Sequence, residues 1–237
     1  VFDCRQAAAE FFGLSDPARV VFTQNATHAL NIAVKSLLHG GGHAVISGYE
    51  HNSVARPLEA LAGRGVTYTV ARSPLFDQDA AYAAIVHSLR PDTRCVILTH
   101  VSNVFGYILP VGEMAALCWR RGVPFILDAA QSAGTLPVRL GELGAESIAM
   151  PGHKGLLGPQ GTGLLLCAGQ TVPLLYGGTG SESIRHDMPE LLPERLEAGT
   201  QNVPGAAGLA EGMRYLQRMG IDRIYAAEHR QAKRCAE

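Results

Sequence analysis

The sequence predicts an α/β fold, a mainly parallel sheet flanked by helices, and three observations carry that expectation. Short apolar runs recur along the chain and are continuous rather than alternating, the pattern of strands covered on both faces. Helix-length segments separate most of these runs, which is the rhythm of a parallel sheet with crossover helices. The composition is 47% hydrophobic and only 17% charged, with 27 glycines among 237 residues, which suits helices packed closely on a well-buried sheet.

Element by element, residues 1–12 have helical periodicity but no N-cap and no initiator Met. Val20-Val21-Phe22-Thr23 reads as the first strand and leads into a helix from about Thr27 to Leu38. His43–Ser47 is the second strand, with a helix from about Ser53 to Ala62. Val66–Val70 is the third, and Asp77 is a capping candidate for a helix over Gln78–Leu89. Cys95–Thr99 precedes a helix over Val111–Arg121, and Pro124–Asp128 follows. Ser147–Met150 and Gly163–Cys167 come after with short connections. Residues 172–196 are rich in Gly, Pro and charge and read as a long loop, which is uncommon unless functional. A further helix begins near Gly205, and residues 221–237 are helical with no C-cap glycine. Both ends read as cut through a helix. The expected organisation is a large domain over 1–220 and, over 221–237, the start of a helix leading to a small domain that is largely absent.

The bulk numbers exclude several classes. A net charge of -1 gives no electrostatic case for nucleic acid or an anionic membrane. No apolar run is long enough to span a bilayer. The five cysteines have no paired spacing, so neither a disulfide framework nor a metal site is expected, and a reducing cytoplasm is the expected compartment.

In such a sheet, ligands gather at the carboxyl ends of the strands. Asn25-Ala26-Thr27-His28 follows the first strand and opens a helix, an anion site built from free N–H groups and the Thr27 hydroxyl; an ordinary N-cap at Thr27 is the other reading. Tyr49-Glu50-His51-Asn52-Ser53 follows the second strand, and His51 suits stacking on a planar group and proton transfer, or a structural role. His28, His43, His87, His186 and His229 are read as structural. Asn103 sits in a loop after a strand and can donate to an oxygen, or simply make a turn. Asp128 ends a strand after apolar residues, where an unpaired carboxylate is costly and a cationic partner is expected. Gln131 is three residues on. In Gly152-His153-Lys154-Gly155 a lysine lies in a glycine-rich turn after another short run. Such a lysine and such an aspartate are what pyridoxal 5'-phosphate (PLP) needs: an amine for its aldehyde and a carboxylate that keeps the ring nitrogen protonated.

Six segments in order, Ala26-Thr27, Glu50-His51, His100-Val101-Ser102-Asn103, Asp128-Ala129-Ala130-Gln131, Gly152-His153-Lys154 and Glu197-Ala198-Gly199-Thr200, resemble the class V aminotransferase group of fold-type I PLP enzymes. The likeness is greatest to the cysteine desulfurase and selenocysteine lyase branch. It implies that Ala26, Thr27 and His153 bind the phosphate, that His51 lies over the ring as an acid–base group, and that Asn103 and Gln131 contact the ring oxygen. It further implies that Asp128 pairs with the ring nitrogen, that Lys154 is the covalent anchor, and that Thr200 reaches the phosphate of a partner subunit in a homodimer with a shared active site. The implied activity removes sulfur from L-cysteine, giving L-alanine and a protein persulfide, with a sulfur-acceptor protein as a further partner. A transaminase, a β-lyase, a selenocysteine lyase and a non-catalytic PLP-binding partner are the alternatives. Two departures stand out. Pro151 takes a place where the group often has Ser or Thr, and no cysteine occupies the place of the persulfide-forming residue, which with the substrate-binding arginine lies in a C-terminal portion of the family.

Overall fold

In a computed structural model, described over residues 1–169, 171–182 and 184–236, the chain forms one seven-stranded sheet. The strands are β1 (Val20–Thr23), β2 (Gly42–Ser47), β3 (Val66–Ala71), β4 (Thr93–Thr99), β5 (Phe125–Asp128), β6 (Ser147–Pro151) and β7 (Gly163–Cys167), in the order β1-β7-β6-β5-β4-β2-β3. Neighbours from β3 through β6 pair in parallel, while β7 runs antiparallel between β6 and β1. The expected mainly parallel sheet is therefore present. β7 is antiparallel because the connection from Pro151 to Gly163 carries no helix, so the chain turns back beside the strand it has left.

The continuous apolar runs are explained by helices on both faces. On one face α2 (Ala26–Leu38) and α3 (Asn52–Ala62) pack Leu30, Ile32, Val54 and Leu58 onto Ile46, Ile97 and Ile126. On the other, α1 (Phe2–Phe12), α4 (Gln78–Ser88), α5 (Val111–Arg121) and α7 (Val203–Met219) contribute Phe12, Ile85, Met114 and Leu209 against Val45, Val96, Leu98 and Leu127. Successive strand residues thus feed opposite layers. Each such fully buried side chain contributes roughly 1.5–3 kcal/mol relative to exposure. β3 is the exception: as the sheet's edge it leaves Thr67 and Val70 exposed. A four-residue helix, α6 (Leu140–Leu143), and a 3-10 turn over Pro17–Arg19 have no counterpart in the sequence reading, being shorter than a period. From Thr171 to Asn202 the described residues form neither helix nor strand, as expected for the long loop. Ser183 lies outside the described residues.

α7 ends at Gly220 and α8 (Ile221–Ala236) begins at once. At the other end, Arg5 on α1 grips Glu197 through two hydrogen bonds of 2.9 Å, and the Glu197 carboxylate also accepts from the N–H of Phe22 at 2.7 Å. Both side chains are buried, so removing one partner would leave an unpaired charge at a cost of about 3–5 kcal/mol. This clamp fixes the segment that carries Thr200 to the end of the sheet.

Candidate functional site

The site is assembled at the carboxyl ends of the parallel strands. After β1, Asn25 caps α2 by accepting the N–H of His28 at 2.9 Å. Thr27 is therefore not the cap, and that alternative reading is overturned: the first residue in extended conformation with a free acceptor is Asn25. Among the described residues the N–H groups of Ala26 and Thr27 find no acceptor, as expected for a helix's first turn.

After β2, His51 caps α3 with its own ring: Nδ1 accepts the N–H of Ser53 at 3.1 Å. The Ser53 hydroxyl lies 2.8 Å from the same Nδ1 and 2.7 Å from the Thr27 hydroxyl, so α2 and α3 meet through three side chains. Just before them, Glu50 is half-buried with its carboxylate turned inward. Its Oε1 accepts from the Ser47 hydroxyl at 2.5 Å and from the Thr99 N–H at 3.0 Å, while Oε2 has no partner. Burial pushes this carboxyl up to about 8; the two donors oppose the shift and the charge of Asp128 adds to it.

Thr99 ends β4 opposite Asp128, the last residue of β5. Asp128 is 2% exposed, and its Oδ1 accepts the N–H of Ala130 at 2.9 Å. Burial raises its pKa, countered by that hydrogen bond and by the nearby His51 and Lys154. A cation against the second oxygen would remove the penalty.

After β6, Pro151 leads into the turn carrying His153 and Lys154, both exposed, whose N–H groups have no acceptor among the described residues. The turn is pressed against the loop after β5 with no room for side chains. A Cβ on Gly134, whose φ is +93°, would stand 2.1 Å from the carbonyl oxygen of Gly155, and one on Gly155 would stand 2.3 Å from that of Ala133. A Cβ on Gly152 would meet the Thr162 hydroxyl at 2.1 Å.

A cavity of about 170 Å³ unites these elements. Ala26, Thr27, His51 and Asn103 line it, as do Asp128, Gln131, His153 and Lys154. All the expected site residues but one thus converge. Thr200 is the exception: it is exposed, outside the cavity, in the segment held by Glu197. Ser53 and Thr99 also line the cavity and were not singled out from the sequence, since their contribution depends on two helix starts and two strand ends lying side by side. Pro151 lines it too and brings no hydroxyl to it. None of the cysteines lines it: Cys4, Cys95, Cys118 and Cys167 are buried, with thiols pushed up to about 11 or 12 by burial, and Cys235 is on α8. Among the described residues no cluster suits a metal ion, and no helix is long and apolar enough to cross a membrane. His43 is structural, bridging Thr93 and Thr69 at 2.9 Å each.

The family model for class V aminotransferases matches residues 1–237. The chain belongs to this family. It is 35% identical over 231 residues to a probable cysteine desulfurase of Methanothermobacter thermautotrophicus, covering 94% of this chain and 57% of the relative. Its fold superposes on the apo structure of the cysteine desulfurase from Thermococcus onnurineus NA1 with a TM-score of 0.86 and 34% identity, covering 98% of this chain and 60% of that one. It is also similar to C-DES, a cystine C–S lyase solved with glycine covalently linked to its PLP cofactor, at 31% identity and a TM-score of 0.83 over 95% of this chain and 62% of that one. The chain thus spans about three-fifths of the length of the family members it matches.

Proposed function

We propose that this chain is the cofactor-binding part of a PLP-dependent cysteine desulfurase, which takes sulfur from L-cysteine and leaves L-alanine. The observation that carries the reading is the cavity itself. A buried aspartate in need of a cation, a lysine and two turns with free N–H groups surround one space, which fits a phosphorylated aromatic aldehyde with a basic ring nitrogen. Lys154 is the only lysine there; Lys35 is on α2 and Lys233 on α8. The names of the relatives support cysteine as the substrate.

When bound, PLP supplies an aldehyde for the substrate amine and a protonated ring that takes up electron density as the C–S bond breaks. Asp128 holds the proton on the ring nitrogen, and its desolvated charge makes that hold strong. The N–H groups of Ala26, Thr27 and His153, with the Thr27 hydroxyl, bind the phosphate at the start of α2. Lys154 would supply the amine that holds the aldehyde and, as a free amine, could move a proton at the substrate α-carbon. His51 would serve as the acid–base group beside the bound ring, and Asn103 and Gln131 would hold the ring through its oxygen. We assign Thr200 to the phosphate of a second copy in a homodimer, with the Glu197–Arg5 clamp as its support. Residues 1–220 form the large domain in this reading, and α8 leads toward the remainder of the relatives' length. The sulfur leaves to a cysteine thiolate outside this chain, so that cysteine and thiol become alanine and persulfide with no external oxidant or reductant. The unpaired cysteines fit a reducing, cytoplasmic setting.

The C–S lyase C-DES favours one second reading, β-elimination. Supplying L-cysteine to the purified holoenzyme with a thiol acceptor separates the two: alanine with protein persulfide is expected, whereas pyruvate and ammonia would establish the lyase, and a 2-oxo acid formed only with an amino acceptor would establish a transaminase.

A further inference from the structure

We propose that Ser53 couples the position of the proton on His51 to anion binding at Thr27. This rests on the reading of the α2 start as a phosphate site. Ser53 is 6% exposed, and its hydroxyl links the two residues: 2.7 Å from Thr27 Oγ1 and 2.8 Å from His51 Nδ1. Each hydroxyl has a single proton to donate, so the direction of one hydrogen bond dictates the next.

Without an anion, the direction is set from the His51 end. The backbone N–H of Ser53 points at Nδ1 and can only donate, so Nδ1 offers a lone pair and the neutral ring carries its proton on Nε2. The Ser53 hydroxyl shares that one lone pair as a second donor to Nδ1, and Thr27 donates to Ser53. The Thr27 proton is turned inward.

An anion at the α2 start reverses the chain. Its unprotonated oxygens can only accept, so Thr27 turns its own proton toward them, and Thr27 Oγ1 accepts from the Ser53 hydroxyl instead. Ser53 Oγ now presents a lone pair to Nδ1 at 2.8 Å. The arrangement is satisfied when Nδ1 carries the proton and donates to Ser53, releasing the backbone N–H. One proton leaves Nε2 to water and one enters Nδ1 from water, with no net charge change; the exposed His51 ring permits the exchange. Nε2, the nitrogen not engaged by Ser53, thereby becomes an acceptor only once the phosphate is seated. Ser53 is a positioning residue that readies His51 as a base in the loaded site.

The test is nitrogen NMR on cofactor-free full-length protein labelled with 15N-histidine and on backbone amides, titrated with inorganic phosphate and then with PLP. The His51 signals are those lost in His51→Gln. In the native protein, Nδ1 is expected to move from the pyridine-like to the pyrrole-like range as phosphate saturates, and Nε2 the opposite way. In Ser53→Ala, phosphate should still shift the Ala26 and Thr27 amides while the His51 nitrogens stay unmoved, and Ser53→Thr should restore the response. Amide shifts without a change in native His51 overturn the coupling and leave the phosphate site standing. Absence of any amide shift with either anion overturns both. An unaltered His51 response in Ser53→Ala overturns the role of Ser53, and should that variant not fold, the native titration alone decides the coupling.

Discussion

Replacing Glu50 by Gln should flatten the pH dependence of folding stability. Glu50 ionises at about 8 in the folded protein against 4.5 in an unfolded chain, because its buried carboxyl has no cation and faces the charge of Asp128. For an acid with a raised pKa the folded state binds more protons, so stability is greatest below about pH 4.5 and is lost as the pH rises toward 8. At about 1.4 kcal/mol per pH unit, this single group lowers stability by about 3 kcal/mol between pH 5 and pH 8. Gln keeps an oxygen for the Ser47 hydroxyl and the Thr99 N–H, and its amide stands where Oε2 has no partner. That unmatched amide costs about 1–3 kcal/mol, but equally at every pH, so it displaces the curve without tilting it. Relief of Asp128 from a neighbouring charge acts in the same direction as the loss of the Glu50 titration. Urea unfolding of the cofactor-free native and Glu50→Gln proteins at pH 5, 6, 7 and 8 gives the difference curve, in which contributions from His28, His43 and His100 cancel. Parallel curves for the two proteins would show that Glu50 does not titrate in this range and that its burial has been misjudged.

Lys154→Ala should abolish the visible absorbance of bound PLP, and a borohydride-reducible adduct persisting in that variant would assign the anchor elsewhere. Asp128→Asn should retain cofactor while turnover falls on the order of 10²–10³-fold, since electron withdrawal matters most as charge develops; near-normal turnover by alanine release would contradict the role. Thr200→Ala should loosen the cofactor, measured by its loss on dialysis. Hybrid dimers of Thr200→Ala with Lys154→Ala subunits should recover activity, because one site carries both defects and the other neither; failure of mixed subunits to exceed their parents would place Thr200 in its own site.

The sheet and most of the cavity were legible because the parallel fold leaves a local mark at each place. Asp128 and Lys154 each follow a short apolar run, and Ala26, His51 and Asn103 follow three others, so strand ends could be read one at a time. What escaped depends on proximity between elements. Ser53 reads as one more small residue at the start of a helix until α2 is beside α3, and the predicament of Glu50 exists only because β2, β4 and β5 end together. The capping of α2 by Asn25 rather than Thr27 is a matter of one residue's backbone conformation, which composition does not determine. The exposure of Thr67 and Val70 on β3 is likewise a matter of what packs beside that edge, since the other edge strand, β1, is buried throughout.

The meeting of Gly134 with Gly155 has a consequence for how this site can change over generations. The distance between the aspartate and the lysine is set by main chain resting on main chain, across a gap too narrow for a methyl group. Side chains around the cavity can therefore be exchanged or enlarged without altering how far apart those two residues stand. The spacing of the two residues, fixed also by the pairing of β5 with β6, is thereby kept apart from the variation of the side chains around them, and a mutation at either glycine would disturb it.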